Sequence, residues 1–184
     1  GMSDAAIEAA AAAAKERGLE GKYAVALINT TGQAPLAVLT NRSTRERLQA
    51  ASMARGSHGG DFDNRDEVVQ LAKLRAERAA LLGYPTFAAY SLENETAKNP
   101  AAVNKLLSEL ATPAVNNARK EAAEIQKVID AEKGGFKVAA HDWAYYTDKV
   151  RAERYSFDEN QLKPYFELDN VLVKGVFYAA NKLY

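Results

Sequence analysis

This 184-residue chain carries two histidines, His58 and His141, 83 positions apart. Zinc-assisted hydrolysis brings two histidines onto one helical face, most legibly as His-Glu-x-x-His with the glutamate as base. Neither histidine stands in such a motif. His58 lies in the glycine-rich stretch GSHGGDFDN (56–64), where it reads as a solvated loop residue. His141 precedes Asp142 and Trp143 and reads as packing at a helix start. No Gly-x-Ser-x-Gly elbow is present to set a serine nucleophile beside either one. The chain has no cysteine, which removes disulfides, thiolate metal sites and a thiolate nucleophile.

The acidic run DFDNRDE, Asp61 to Glu67, has the composition of a calcium loop in the wrong order. Counted from Asp61, the fifth residue is Arg65 and the sixth Asp66, where an EF-hand needs a ligand and then a glycine. Helix capping and first-turn acids account for the run. RGSHGG lacks the spacing and the lysine of a phosphate loop. The Asn-x-Ser/Thr triplets at Asn29, Asn41 and Asn94 carry no meaning without a secretory signal. Trp143, Tyr145, Tyr146, Tyr155, Phe157, Tyr165 and Phe166 form an aromatic set able to line a peptide groove, although aromatics at helical spacing are usually core. These residue types therefore nominate no catalytic, cofactor-binding or metal residue.

The elements that would position such groups are helical. Asn99 caps a helix that begins at Pro100 and runs to Gly134. Val103, Leu107, Leu110, Ala114, Ala118, Ala122, Ile125 and Ile129 recur along it at spacings of three and four. Pro113 falls inside the pattern and predicts a kink near Glu109. The fold class is mainly α: a multi-helix array around this long Pro-kinked helix (about 99–133), with one small β-hairpin (about 22–39).

Ahead of the long helix, Ser3 to Arg17 reads as a helix capped by Ser3, with Asp4 and Lys15 suiting its dipole. GKYAVALINTTGQAPLAVLTN predicts the hairpin, with strands near Lys22–Ile28 and Leu36–Leu39 around a turn-rich centre. Thr44 to Arg55 reads as a short helix capped by Ser43 or Asn41, with Leu48, Ala51 and Met53 or Ala54 facing inward. Asp63 or Asn64 caps the next helix, which carries Val68, Leu71, Leu74, Ala79 and Leu82 up to Gly83. Thr86 to Lys98 forms another. Beyond the long helix, Asp142 caps WAYYTDKVRAERY, and Leu168 to Tyr184 is the last helix. No internal repeat and no dividing linker is present, so residues 2–184 read as a single helical domain or subdomain. Gly1 before Met2 reads as a tag remnant, and Tyr184 ends the chain inside an apolar helical pattern.

Lysine plus arginine and aspartate plus glutamate each number 24, interspersed from end to end, which argues against a nucleic-acid partner. The alanine tract Ala9–Ala14 is too short to span a bilayer, and no signal-peptide pattern precedes it. The chain reads as cytoplasmic, with no membrane partner.

Three long stretches carry a resemblance: GLEGKYAVALINTTGQAPLAVLTNRSTRERLQAAS (18–52), LLGYPTFAAYSLENETAKNP (81–100) and HDWAYYTDKVRAERYSFDENQLKPYFELDNVLVKGVF (141–177). In these the chain resembles bacterial peptidyl-dipeptidases, the dipeptidyl carboxypeptidase branch of the thimet oligopeptidase-like zinc metallopeptidases. The likeness covers nearly all of Met2 to Tyr184. It implies a mostly helical enzyme with a deep channel between two halves, a zinc cofactor, and release of C-terminal dipeptides from short unstructured peptides. In that family a zinc-bound water attacks the scissile carbonyl while a glutamate takes its proton. The family's His-Glu-x-x-His helix and downstream glutamate have no matching positions here, so no catalytic or zinc-binding residue is carried over.

The resemblance therefore implies an internal, non-catalytic helical segment of a zinc metallopeptidase. Its partners would be the missing C-terminal catalytic part of the same enzyme and, in the whole protein, a short peptide substrate. Self-association through an exposed apolar face follows if that part is absent. The alternative is a stand-alone helical module that grips a peptide or partner helix with the Trp143–Phe166 region. A hydrolase built on acidic pairs with His58 or His141 is a third reading.

Overall fold

The computed structural model describes residues 1–27, 32–156 and 161–184. It is mainly helical, and no β-strand occurs among the described residues. The chain falls into two compact units, Gly1–Tyr146 and Thr147–Tyr184.

In the first unit, α1 spans Asp4–Lys15, and the Ser3 hydroxyl accepts the Ala6 amide at 3.4 Å. The helix stops at a left-handed Gly18, where the Leu19 amide returns to the Ala14 carbonyl at 2.9 Å. Ala10 and Ala14 are buried. Their small side chains let the next segment approach closely, and the Ala24 amide donates to the Ala10 carbonyl at 2.9 Å.

That bond replaces the expected hairpin. Residues 23–27 form no ladder, and of the expected second strand, Leu36–Leu39, the first two residues belong to a short 3₁₀ helix, Ala34–Ala37, while the other two form no strand. Pro35 is the physical reason: its fixed φ suits a first helical turn, and it has no N–H for a ladder. The amides of Val38 and Leu39 both return to its carbonyl, at 3.2 and 3.0 Å. Leu36 is buried, so the apolar pattern that suggested a strand reports packing instead. The centre of the expected turn, residues 28–31, lies outside the described residues.

α2 spans Arg42–Met53. Asn41 caps it, accepting the Thr44 amide at 3.0 Å. Its inward face differs from the one expected. Arg45 and Ser52 are the buried residues, whereas Met53 is 66% exposed. Both buried side chains are bonded, Gln33 donating to the Ser52 hydroxyl at 3.0 Å and Arg45 Nη2 to Asp142 at 2.9 Å, while Arg45 Nε has no hydrogen-bond partner among the described residues.

α3 (Arg65–Leu81) and α4 (Phe87–Leu92, capped by Thr86) meet at an aromatic corner. Tyr84 and Tyr90 stack edge-on with centroids 5.3 Å apart, and the Arg75 and Arg78 guanidiniums lie 5.2 Å from the Phe87 and Tyr90 rings. The Tyr84 hydroxyl donates to the Glu93 carboxylate, which raises its pKa. α4 ends six residues before the expected Lys98, whose φ is positive.

α5 (Pro100–Ala131) is the long helix, and Asn99 accepts the Ala102 amide at 2.9 Å. Its 32 residues span roughly 48 Å at about 1.5 Å per residue. Pro113 lies inside it. A left-handed Lys133 and a Gly134 amide bonded to the Ile129 carbonyl end it. α6 (Ala140–Tyr155) follows.

The second unit holds the end of α6, a 3₁₀ turn at Lys163–Phe166, and one continuous helical run from Leu168 to Leu183. That run is wound as α-helix at both ends and as π-helix over Leu172–Phe177. Glu167 caps it, accepting the amides of Asp169 and Asn170 at 3.1 and 2.7 Å. No described residue of this unit is buried.

Candidate functional site

A polar cluster lies at the N-terminus of α6. Asp142 is fully buried, and three groups donate to it. Arg42 binds with a two-pronged grip, its Nη2 2.9 Å from Oδ2 and its Nε 3.1 Å from Oδ1. Arg45 Nη2 lies 2.9 Å from Oδ1, and the Ala139 amide reaches Oδ2 at 3.2 Å. The Asp142 carboxylate is thus the counter-ion of two arginines and reaches back to the Ala139 amide from the first turn of α6; the helix begins at Ala140, so Asp142 is not the N-cap that the sequence suggested. Burial alone would raise its pKa; the Arg42 and Arg45 hydrogen bonds, the Ala139 amide and the charge of His141 outweigh burial and hold it below the ordinary range.

Arg45 also donates to the carbonyls of Leu39 and Thr40, at 2.9 and 3.0 Å. The cluster therefore fastens the approach to α2 onto the start of α6. Both guanidiniums are covered by aromatic faces: Arg42 lies 4.1 Å from the Phe136 centroid and Arg45 4.3 Å from Tyr145. Gln126 of α5 completes the frame, donating to the Phe136 carbonyl at 3.0 Å and accepting the Val138 amide at 2.9 Å.

This arrangement is suited to holding helices together rather than to moving protons. A carboxylate kept ionised by two guanidiniums is a weak base. His141 Nε2 lies 3.5 Å from Asp142 Oδ2 without hydrogen-bond geometry, and His58 is exposed in the glycine loop. Zinc needs three or more ligands at about 2 Å, and the residues present do not fit one. Among the described residues no three His, Cys, Asp or Glu side chains converge on a common point.

The other sequence candidates separate. Asp63 organises its own loop, accepting the Gly59 amide at 2.7 Å and the Arg65 amide at 3.1 Å. The Arg65 guanidinium reaches it at 2.6 Å, and these bonds, led by the Arg65 side chain, hold the Asp63 carboxyl well below the usual range. That is a capping role, with Asp66 and Glu67 in the first turn of α3. Of the aromatic set, Tyr146 is core, while Tyr155, Tyr165 and Phe166 of the second unit are exposed, so they do not pack as the helical spacing suggests. Phe157 lies outside the described residues. A groove of about 930 Å³ opens between α1 and α2, lined by apolar residues including Ile7, Val25 and Leu48 with Arg47 beside them. Sequence reasoning missed the Arg42–Arg45–Asp142 cluster; its only signal was a pair of arginines three apart in NRSTRE.

No helix among the described residues is long and apolar enough to cross a membrane. The accessible surface is 14288 Å² for 20.0 kDa. A compact monomer of that mass exposes roughly 8,700 Å², and two separate compact bodies of the units' sizes roughly 10,000 Å². The excess is therefore a property of the units themselves. Leu71 and Leu74 of α3 and Leu107 and Leu110 of α5 are all about half exposed.

The sequence profile of Peptidase family M3 matches residues 36–184. The whole chain is 45% identical to a Dipeptidyl carboxypeptidase of Salmonella typhimurium and 44% identical to that of Escherichia coli. It is 33% identical to the Oligopeptidase A of Escherichia coli. In each case the chain spans 27% of the relative's length. With most of its length matched by the family profile and its whole length by these relatives, the chain belongs to peptidase family M3.

Proposed function

We propose that this chain is a non-catalytic helical segment of a zinc metallopeptidase that removes dipeptides from the C-terminus of short peptides. The observation that carries the reading is the 45% identity to a dipeptidyl carboxypeptidase, along the whole chain but over only 27% of that protein. The lower identity to oligopeptidase A, 33%, favours the dipeptide-releasing branch. The sequence has two histidines and no His-Glu-x-x-His, so the zinc and its general base belong to the rest of the enzyme. That rest is the segment's partner, and the substrate is a short peptide held in the whole enzyme. α5 is taken as a strut of the wall, bent at Pro113, which leaves the Glu109 carbonyl without its helical donor. A chain free of cysteine suits the cytoplasmic setting this reading adopts.

Peptidase activity tests the reading. With zinc and a short blocked peptide, the 184-residue chain is inactive, and a form extended through the downstream His-Glu-x-x-His releases C-terminal dipeptides. Hydrolysis by the short form, surviving a chelator, overturns it.

A further inference from the structure

The apolar stripe of α5 runs without a break from Val103 to Ile129, yet its two ends have opposite fates. Ile125 and Ile129 are 2% and 0% exposed, sealed by this chain's own residues. Residues 104–121 are exposed on every side of the helix, and Leu107 and Leu110 on the same stripe are 57% and 55% exposed. α3 repeats the pattern: residues 64–78 are all exposed, and only Ala79 beside the aromatic corner is buried. α3 packs on α4 and α4 on α5. The leucines of α3 and α5 are left uncovered on either side of α4 in sequence.

We propose that the Leu107–Ala118 stripe of α5 and the Leu71–Leu74 face of α3 form one interface, closed by the remaining part of the same polypeptide. The proposal rests on the segment reading above. Two observations select that occupant over a second copy. The stripe is continuous with a core already closed at Ile125 and Ile129, so the missing layer extends that core. The α3 face likewise leads into a residue that the first unit already buries, since residues 64–78 are exposed and Ala79 is closed, so one added layer would extend both. The relatives are long enough to supply such a layer, since this chain spans 27% of their length.

The test is thiol labelling, read by mass on the peptide that carries the introduced cysteine. Leu107→Cys is placed in the 184-residue chain and in the full-length protein, with Lys105→Cys as control on the opposite, exposed face of α5. Expected is rapid labelling of both positions in the short chain. In the full-length protein Leu107→Cys should react on the order of 100-fold more slowly, as at a site reached by local opening, with Lys105→Cys unchanged. Leu110→Cys repeats the measurement where Leu107→Cys fails to fold. Equal rates at Leu107→Cys in both forms overturn the proposal. Slowing in the short chain as its concentration rises also overturns it, because the occupant is then a second copy. Dipeptide release by the full-length protein is scored separately: an active enzyme with a fast-labelling Leu107→Cys loses the interface alone, and an inactive one with a protected thiol loses only the segment reading.

Discussion

Arg45 and Asp142 stand 97 positions apart in sequence and 2.9 Å apart in space, with both side chains withdrawn from solvent. Arg42 grips the same carboxylate but keeps 36% of its side chain exposed. The two arginines therefore differ in what their loss would cost.

Removing the carboxylate strands Arg45 as a buried charge. Asp142→Asn should destabilise the first unit by about 3–5 kcal/mol, enough to unfold a marginal domain. Arg42→Ala removes a partly hydrated donor and should cost about 1–2 kcal/mol. Urea unfolding followed by Trp143 fluorescence measures both. Equal costs would mean that Arg45 and Asp142 are not the fastening pair.

The same carboxylate sets an acid limit. Asp142 has a folded pKa depressed below its ordinary value near 3.8. Its contribution is therefore full above about pH 4 and is lost as pH falls from there through the folded value. Thermal melts of the wild-type chain between pH 7 and pH 2.5 should show this loss. In Asp142→Asn the acid-induced fall should be shallower, because this proton uptake is gone. Parallel pH curves for the two proteins would remove Asp142 as the group responsible.

Helices were legible in the sequence because their signals are local. Ser3, Asn41, Thr86 and Asn99 each accept the amide three residues on, and cap and stripe can be read from neighbouring letters. The region around residues 22–39 was misread because β-branched and aromatic residues mark a half-buried surface as readily as a strand. Whether residues 23–27 pair with a strand or with the Ala10 carbonyl is decided by a different element. The Arg42–Arg45–Asp142 cluster was illegible for the same reason. Asp142 reads as the N-cap of a helix starting at Trp143, whereas it stands in the first turn of one starting at Ala140, and nothing near it in sequence announces an arginine 97 or 100 positions away.

Gly134 tests the tight ending of α5. Its φ is not in the left-handed region, so backbone freedom is not the issue. A Cβ there would lie 2.8 Å from Ile129 Cγ2 and 2.9 Å from Phe136 Cε1. Both neighbours are constrained, since Ile129 is fully buried and Phe136 lies under the Arg42 guanidinium. Gly134→Ala should cost about 1–3 kcal/mol by overpacking, whereas Gly135→Ala meets no atom and pays only for its positive φ. Denaturation midpoints compare the two, and a Gly134→Ala protein as stable as wild type would show that this corner relaxes.

Pro113 offers the opposite sign. It lies in the part of α5 where every residue is exposed, so its replacement meets no packing constraint within this chain. Alanine restores an N–H for the Glu109 carbonyl and removes the ring's crowding of that turn; the intrinsic difference in a helix interior is about 3 kcal/mol. Pro113→Ala should therefore raise the helical circular dichroism of the 184-residue chain and delay its thermal loss. In the full-length protein the outcome should differ. If the enzyme's remaining part packs along an α5 bent at Pro113, as proposed above, straightening the helix misaligns Leu107 and Leu110 against their cover, and the gain shrinks or reverses. An equal stabilisation in both proteins would mean that no partner reads the shape of α5 at this turn.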